Sequence, residues 1–175
     1  GKGVRVAIID QPKPMNHSEY KDKIVDYYNT AGDVYEMHGP AVVSLLVGNE
    51  CGTAPDAKLY YAALATWDLD AGYFADALRW IIAKDNELPE NYKIRVVSVS
   101  AAPSGQGTPY TKNTGQWDVA VAEAKTAGIL VLDCRENDET GITQVGYYDL
   151  NDPDNISRFT PGSPKYNFPG DTRSI

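Results

Sequence analysis

The chain has 175 residues, 42% hydrophobic and 23% charged, with 24 acidic against 16 basic side chains and a formal net charge of −8. That suits one globular domain around one core. Nucleic acid is not expected as a partner, because phosphate binding needs clustered Lys and Arg, and a membrane span is not expected either, since the longest apolar run, within residues 41–47, is far too short to cross a bilayer.

The elements follow in alternation. Residues 4–9 are apolar and β-branched, bounded by Gly3 and by Pro12 and Pro14, which predicts a buried parallel strand. Residues 40–47 are apolar and end at Gly48, as a core helix stopped by a glycine does. Residues 58–64 read as a strand. Phe74, Leu78, Ile81 and Ile82 fall on one face of an amphipathic helix. Residues 94–100 form the next strand. Residues 117–127 are alanine-rich and helical, ended by Gly128, and residues 129–132 are again a buried strand. Four strands interleaved with three helices predict a three-layer, doubly wound α/β domain with a mostly parallel sheet. From Thr140 onward turn-forming residues dominate, and only residues 144–148 suggest a further strand.

Open α/β sheets carry their chemistry at the carboxyl ends of their strands. Asp10 directly follows the first strand, and His38 stands just before the apolar helix. Taken singly, each has an ordinary reading as a turn former or a helix cap. Other constellations fail. Gly1-Lys2-Gly3 precedes the first strand instead of following it, and after that strand stand Pro12 and Pro14, which offer no amide to a phosphate. His17 and His38 are the only histidines and lack the spacing of a zinc site. Cys51 and Cys134 give no disulfide framework and are expected to be small buried hydrophobes. The pairs Tyr27-Tyr28, Tyr60-Tyr61 and Tyr147-Tyr148 are expected to pack at strand edges.

The flanks of Asp10 and His38 resemble one family in order along the chain. The run from Gly3 to Asp10 resembles the segment bearing the triad aspartate of the subtilases. His38-Gly39-Pro40-Ala41-Val42-Val43-Ser44 resembles the segment that opens their catalytic-histidine helix. Gly52-Thr53-Ala54-Pro55-Asp56-Ala57-Lys58-Leu59 is similar to their Gly-x-Ala-Pro-x-Ala-x-Leu stretch. Val96-Val97-Ser98-Val99-Ser100 resembles the strand that lines the substrate channel, and Ala127-Gly128-Ile129-Leu130-Val131-Leu132 the strand before the oxyanion-hole asparagine.

The resemblance implies a subtilisin-type serine endopeptidase with Asp10 and His38 in the triad and Asn137 as oxyanion donor. Ser100, Ala101 and Ala102 would form the substrate-binding strand, pairing with a peptide or protein substrate in extended conformation. There are departures. Gln11 replaces the Thr or Ser after the aspartate, Pro40 and Ala41 replace Thr and a second His, and Ala101-Ala102 replace Leu-Gly. Glu136 stands where the family has the glycine before the asparagine, and a charge there would oppose an oxyanion if it pointed inward.

No Gly-Thr-Ser-x-Ala motif occurs, and Gly162-Ser163 is flanked by Pro161 and Pro164. In the subtilisin order the serine follows the histidine by roughly 155 residues, which expects it beyond Ile175, at about 190–200. Residues 1–175 are therefore expected to be the N-terminal part of a single peptidase domain, incomplete at its C-terminus and inactive alone. A non-catalytic subtilase-like pseudoprotease or peptide-binding module is the alternative. Catalysis requires no cofactor or metal. The resemblance admits structural calcium, and Asp149, Asn151, Asp152 and Asp154 are oxygen-rich, but the cluster lacks the Gly and Glu of an EF-hand loop and reads as a solvated turn. A pro-segment ahead of Gly1 is compatible with the family, and secreted and cytoplasmic locations are both open.

Overall fold

The computed structural model describes residues 1–12, 16–105 and 107–134. In chain order the elements are β1 (Arg5–Asp10), β2 (Ile24–Asn29), α1 (His38–Val47), β3 (Lys58–Ala63), α2 (Ala71–Asn86), β4 (Ile94–Val99), α3 (Thr114–Thr126) and β5 (Leu130–Leu132). The strands form one sheet in the order β2-β3-β1-β4-β5, and every pair is parallel. Parallel neighbours need crossovers, and the helices supply them on both faces.

Side chains alternate across β1 and divide the core in two. Val6 and Ile8 join Leu59, Tyr61 and Ala63 of β3 against Val43 and Val47 of α1. Ala7 and Ile9 join Tyr60 and Ala62 against Phe74, Leu78 and Ile81 of α2 and Trp117, Ala120 and Ala124 of α3. The second core is the larger. Phe74 meets Trp117 and Tyr110 edge-on, with ring centroids 6.1 and 5.0 Å apart, and truncating such an aromatic to alanine costs about 3–5 kcal/mol. The helix ends follow local rules. Asp70 caps α2 by accepting from the Gly72 N–H at 2.8 Å. Gly128, with φ of +78°, takes the left-handed turn that releases α3 toward β5.

Five sequence expectations need correction. Residues 129–132 are not a buried strand, since β5 has Leu130 exposed and Val131 and Leu132 only half-buried. The described sheet has five strands, not four. β2 was missed because it lies at the sheet edge with most of its residues half-buried or exposed, so it carries no apolar run. Tyr60 and Tyr61 are not at an edge: β3 lies between β2 and β1, and both rings are buried, on opposite faces. Cys51 and Cys134 are exposed free thiols, since both fall in connections outside the sheet and helices. The helix over residues 117–127 starts at Thr114, because its first turn is polar and carries no hydrophobic signal. Asn137, Glu136, residues 144–148 and the Asp149–Asp154 cluster lie outside the described residues. Among the described residues, no helix is long and apolar enough to cross a membrane.

Candidate active site

After β1 the chain runs toward β2, and after β4 it runs toward β5, so the two adjacent strands send their connections to opposite sides. Such a switch point opens a crevice at the carboxyl ends of the strands. Here it is a cleft of about 170 Å³, walled by Ile9, Asp10 and Gln11 from the end of β1 and by Ser100 and Ala101 from the end of β4. His38, Thr66, Phe74 and Tyr110 complete the lining.

Asp10 and His38 meet there. His38 Nδ1 lies 2.7 Å from Asp10 Oδ1, with the carboxylate side chain 3% exposed and the imidazole 51% exposed. An ionised carboxylate only accepts, so the proton of this bond sits on Nδ1 and Nε2 lies outside the pair. The Gln11 N–H donates to the same Asp10 oxygen at 2.7 Å. The Asp10 carbonyl accepts from the Leu64 N–H at 2.9 Å, which ties the strand end to β3. Burial pushes the Asp10 carboxyl above its ordinary value, and the His38 and Gln11 hydrogen bonds and the histidine's charge oppose that push only in part.

The departure at Gln11 has a structural counterpart. Its side-chain Nε2 donates to Thr66 Oγ1 at 2.9 Å across the cleft edge, and its carbonyl accepts from the Tyr61 hydroxyl. His38 opens α1, and the next residue, Gly39, is buried hard against that carbonyl.

The substrate-strand candidates separate. Ser100 and Ala101 line the cleft, whereas Ala102 does not. The Ala101 carbonyl accepts from the Cys134 N–H at 2.9 Å, extending the β4–β5 ladder, and the Ala102 carbonyl accepts from the Thr108 hydroxyl at 2.6 Å. Just past β5, the buried Asp133 accepts from the indole N–H of Trp117 at 3.0 Å. The route from β5 toward Asn137 thus leaves the described region from an anchored point. Sequence reasoning missed Thr66, Phe74 and Tyr110 in the cleft, and Tyr61 beneath it. Phe74 was legible as a helix-face residue, but nothing local to Thr66 or Tyr110 pointed to the cleft. Among the described residues no cluster of three or more His, Cys, Asp or Glu side chains could hold a metal ion.

The subtilase family model, Peptidase S8, matches residues 1–171. The chain belongs to the subtilase family. Solved structures share its fold as well. The solved structure of the prenylagaramide maturation protease PagA matches with a TM-score of 0.55 at 18% identity, covering 76% of this chain and 46% of that one. The PatG macrocyclase, solved in complex with peptide, matches with a TM-score of 0.52 at 10% identity, covering 75% of this chain and 51% of that one. The chain therefore spans about half the length of each. No curated protein matches it. The all-parallel sheet with helices on both faces is the subtilisin-like α/β fold, and this subtilase chain carries the fold of a serine protease.

Proposed function

We propose that residues 1–175 are the N-terminal part of a single subtilisin-type domain, a serine endopeptidase whose Asp-His-Ser triad includes Asp10 and His38 and takes its serine from beyond Ile175. The observation that carries this reading is the 2.7 Å contact between Asp10 and His38 at the switch-point cleft. In this scheme the serine hydroxyl attacks the peptide carbonyl as His38 Nε2 accepts its proton. The imidazolium, stabilised by Asp10, then passes the proton to the leaving amine, and water repeats the exchange to release the acyl group. The buried carboxylate keeps a proton on Nδ1 through every step.

The substrate is a peptide in extended conformation, laid along the strand end at Ser100 and Ala101 in the manner of an added strand; Ala102, the third residue the resemblance assigned, lies outside the cleft. The bound peptide of PatG, a protein of the same fold, supports that partner class. Asn137 is the proposed oxyanion donor. Its loss should lower kcat by about 10²–10³ with KM nearly unchanged, because the bond forms mainly in the transition state. Structural calcium, which the family resemblance admits, would bear on stability and not on the reaction.

A fluorophosphonate probe, which labels activated serines, tests the assignment. The 175-residue chain should stay unlabelled. A protein extended through a serine at the expected position should be labelled, and its His38→Ala variant should not. Stoichiometric labelling of the short chain at Ser163 or Ser174 would show that the nucleophile lies elsewhere. An extended wild-type protein that binds peptide but takes no label would favour the non-catalytic binding module.

A further inference from the structure

His38 stands at the first position of a helix that has no side-chain cap. Met37 occupies the N-cap without a side-chain bond and is 84% exposed, and just ahead of it the Glu36 N–H donates to the Pro12 carbonyl at 3.1 Å. A closer contact lies one residue past His38. A Cβ built on Gly39 would overlap both the Gln11 carbonyl oxygen and the Tyr61 hydroxyl, so the backbone of this turn rests directly on the hydrogen bond between those two groups. Glycine is the residue that permits such an approach.

Tyr61 is well placed to make that bond a fixed point. Its ring is fully buried between the sheet and α1 and stacks on Tyr27 with centroids 5.7 Å apart and planes 14° apart. The hydroxyl therefore has little freedom. Its acceptor belongs to the residue whose own N–H donates to Asp10 Oδ1, the oxygen that His38 also contacts. Gln11 thus links the phenol to the carboxylate, and Gly39 links the phenol to the imidazole.

We propose that Tyr61 is a positioning residue for the Asp10–His38 pair: by holding the Gln11 carbonyl under the first turn of α1, its hydroxyl sets where His38 stands relative to Asp10. The inference rests on the proposed pairing of those two residues. It predicts that removing one hydroxyl, 50 residues along the chain from Gln11, loosens a hydrogen bond it does not itself make.

Histidine-ring proton and nitrogen NMR of the ¹⁵N-labelled chain tests this without any turnover. In the wild type the His38 Nδ1 proton should be observable and shielded from exchange with water. Tyr61→Phe keeps the ring and its stacking but removes the bond, and should lose that resonance and show mixed tautomers while the backbone amide spectrum stays folded. Tyr60→Phe removes a hydroxyl from the neighbouring residue on the opposite face and should keep the resonance. A folded Tyr61→Phe chain that retains a protected Nδ1 proton would overturn the proposal. Equal loss in Tyr60→Phe would overturn it too, by showing a general loosening. If Tyr61→Phe does not fold, Gly39→Ala decides, since its methyl pushes the turn off the same bond: a folded variant without the resonance supports the proposal, and one with it overturns it. A wild-type chain lacking the resonance would instead refute the Asp10–His38 pairing beneath it.

Discussion

Two carboxylates lie buried at opposite edges of this sheet and are held in opposite ways. Asp85, in the last turn of α2, accepts from the Ile94 N–H at 2.6 Å and sits 3.6 Å from the Lys93 ammonium, which also donates to the Asp85 carbonyl at 2.8 Å. Its partners come from the start of β4 and the residue before it, so the carboxylate is used up in joining one helix to one strand at the amino edge. Asp10, at the carboxyl edge, has a single backbone donor and a half-exposed imidazole from another element. Similar burial thus serves two ends: one carboxylate fixes the fold, the other conditions a side chain that faces solvent.

Substitution should pull these roles apart. In a protein carrying this chain together with its serine, Asp10→Ala is expected to lower kcat by about 3 × 10⁴, the cost of losing the triad aspartate in subtilisin. Asp85→Ala should leave activity per folded molecule unchanged and lower the unfolding free energy by about 3 kcal/mol, because it strands a buried N–H and an ammonium. Steady-state kinetics and denaturant unfolding of both variants read the contrast. Loss of kcat in Asp85→Ala without loss of stability would break the comparison.

The smallest effect is the pH dependence of Asp10. Its folded-state value lies above the ordinary 3.8, with burial as the main cause, so the folded chain binds this proton more tightly than the unfolded chain. The resulting stabilisation is fully present below the unfolded value and is lost as pH rises through the raised folded value. Asp10→Asn cannot titrate there. The stability of wild type relative to Asp10→Asn should therefore fall as pH rises from below 3.8 through the raised value, and level off above it. A difference that grows with pH would mean that His38 and Gln11 outweigh the burial.

What the sequence made legible follows the same division. β1 and β3 were readable because strands buried on both faces are near-continuous apolar runs, β4 because it is rich in β-branched residues, and α2 because its core face repeats with the helical period. The edge strand β2 was not, since Asp26, Tyr27 and Tyr28 are only half-buried or less and mix polar with apolar. Asp10 and His38 stood out through their flanking segments. Ser100 and Ala101 stood out in the same way, whereas Thr66, Phe74 and Tyr110 did not, because they reach the cleft from three separate segments. Tyr61 read as an ordinary strand tyrosine, and the replacement of Thr or Ser by Gln11 gave no hint that its carbonyl would meet a phenol beneath the histidine helix. Burial of the cysteines was misjudged because composition says how often a thiol is buried, not which connection it falls in.

The central claim is that His38, oriented by Asp10, moves the proton in peptide hydrolysis. Its most direct test is the turnover of one chromogenic peptide by a protein that carries this chain with its serine, compared with the same protein bearing His38→Ala. The account predicts that kcat falls by about 2 × 10⁶, as when subtilisin loses its histidine, while peptide binding is retained. Equal turnover by the two proteins would contradict it.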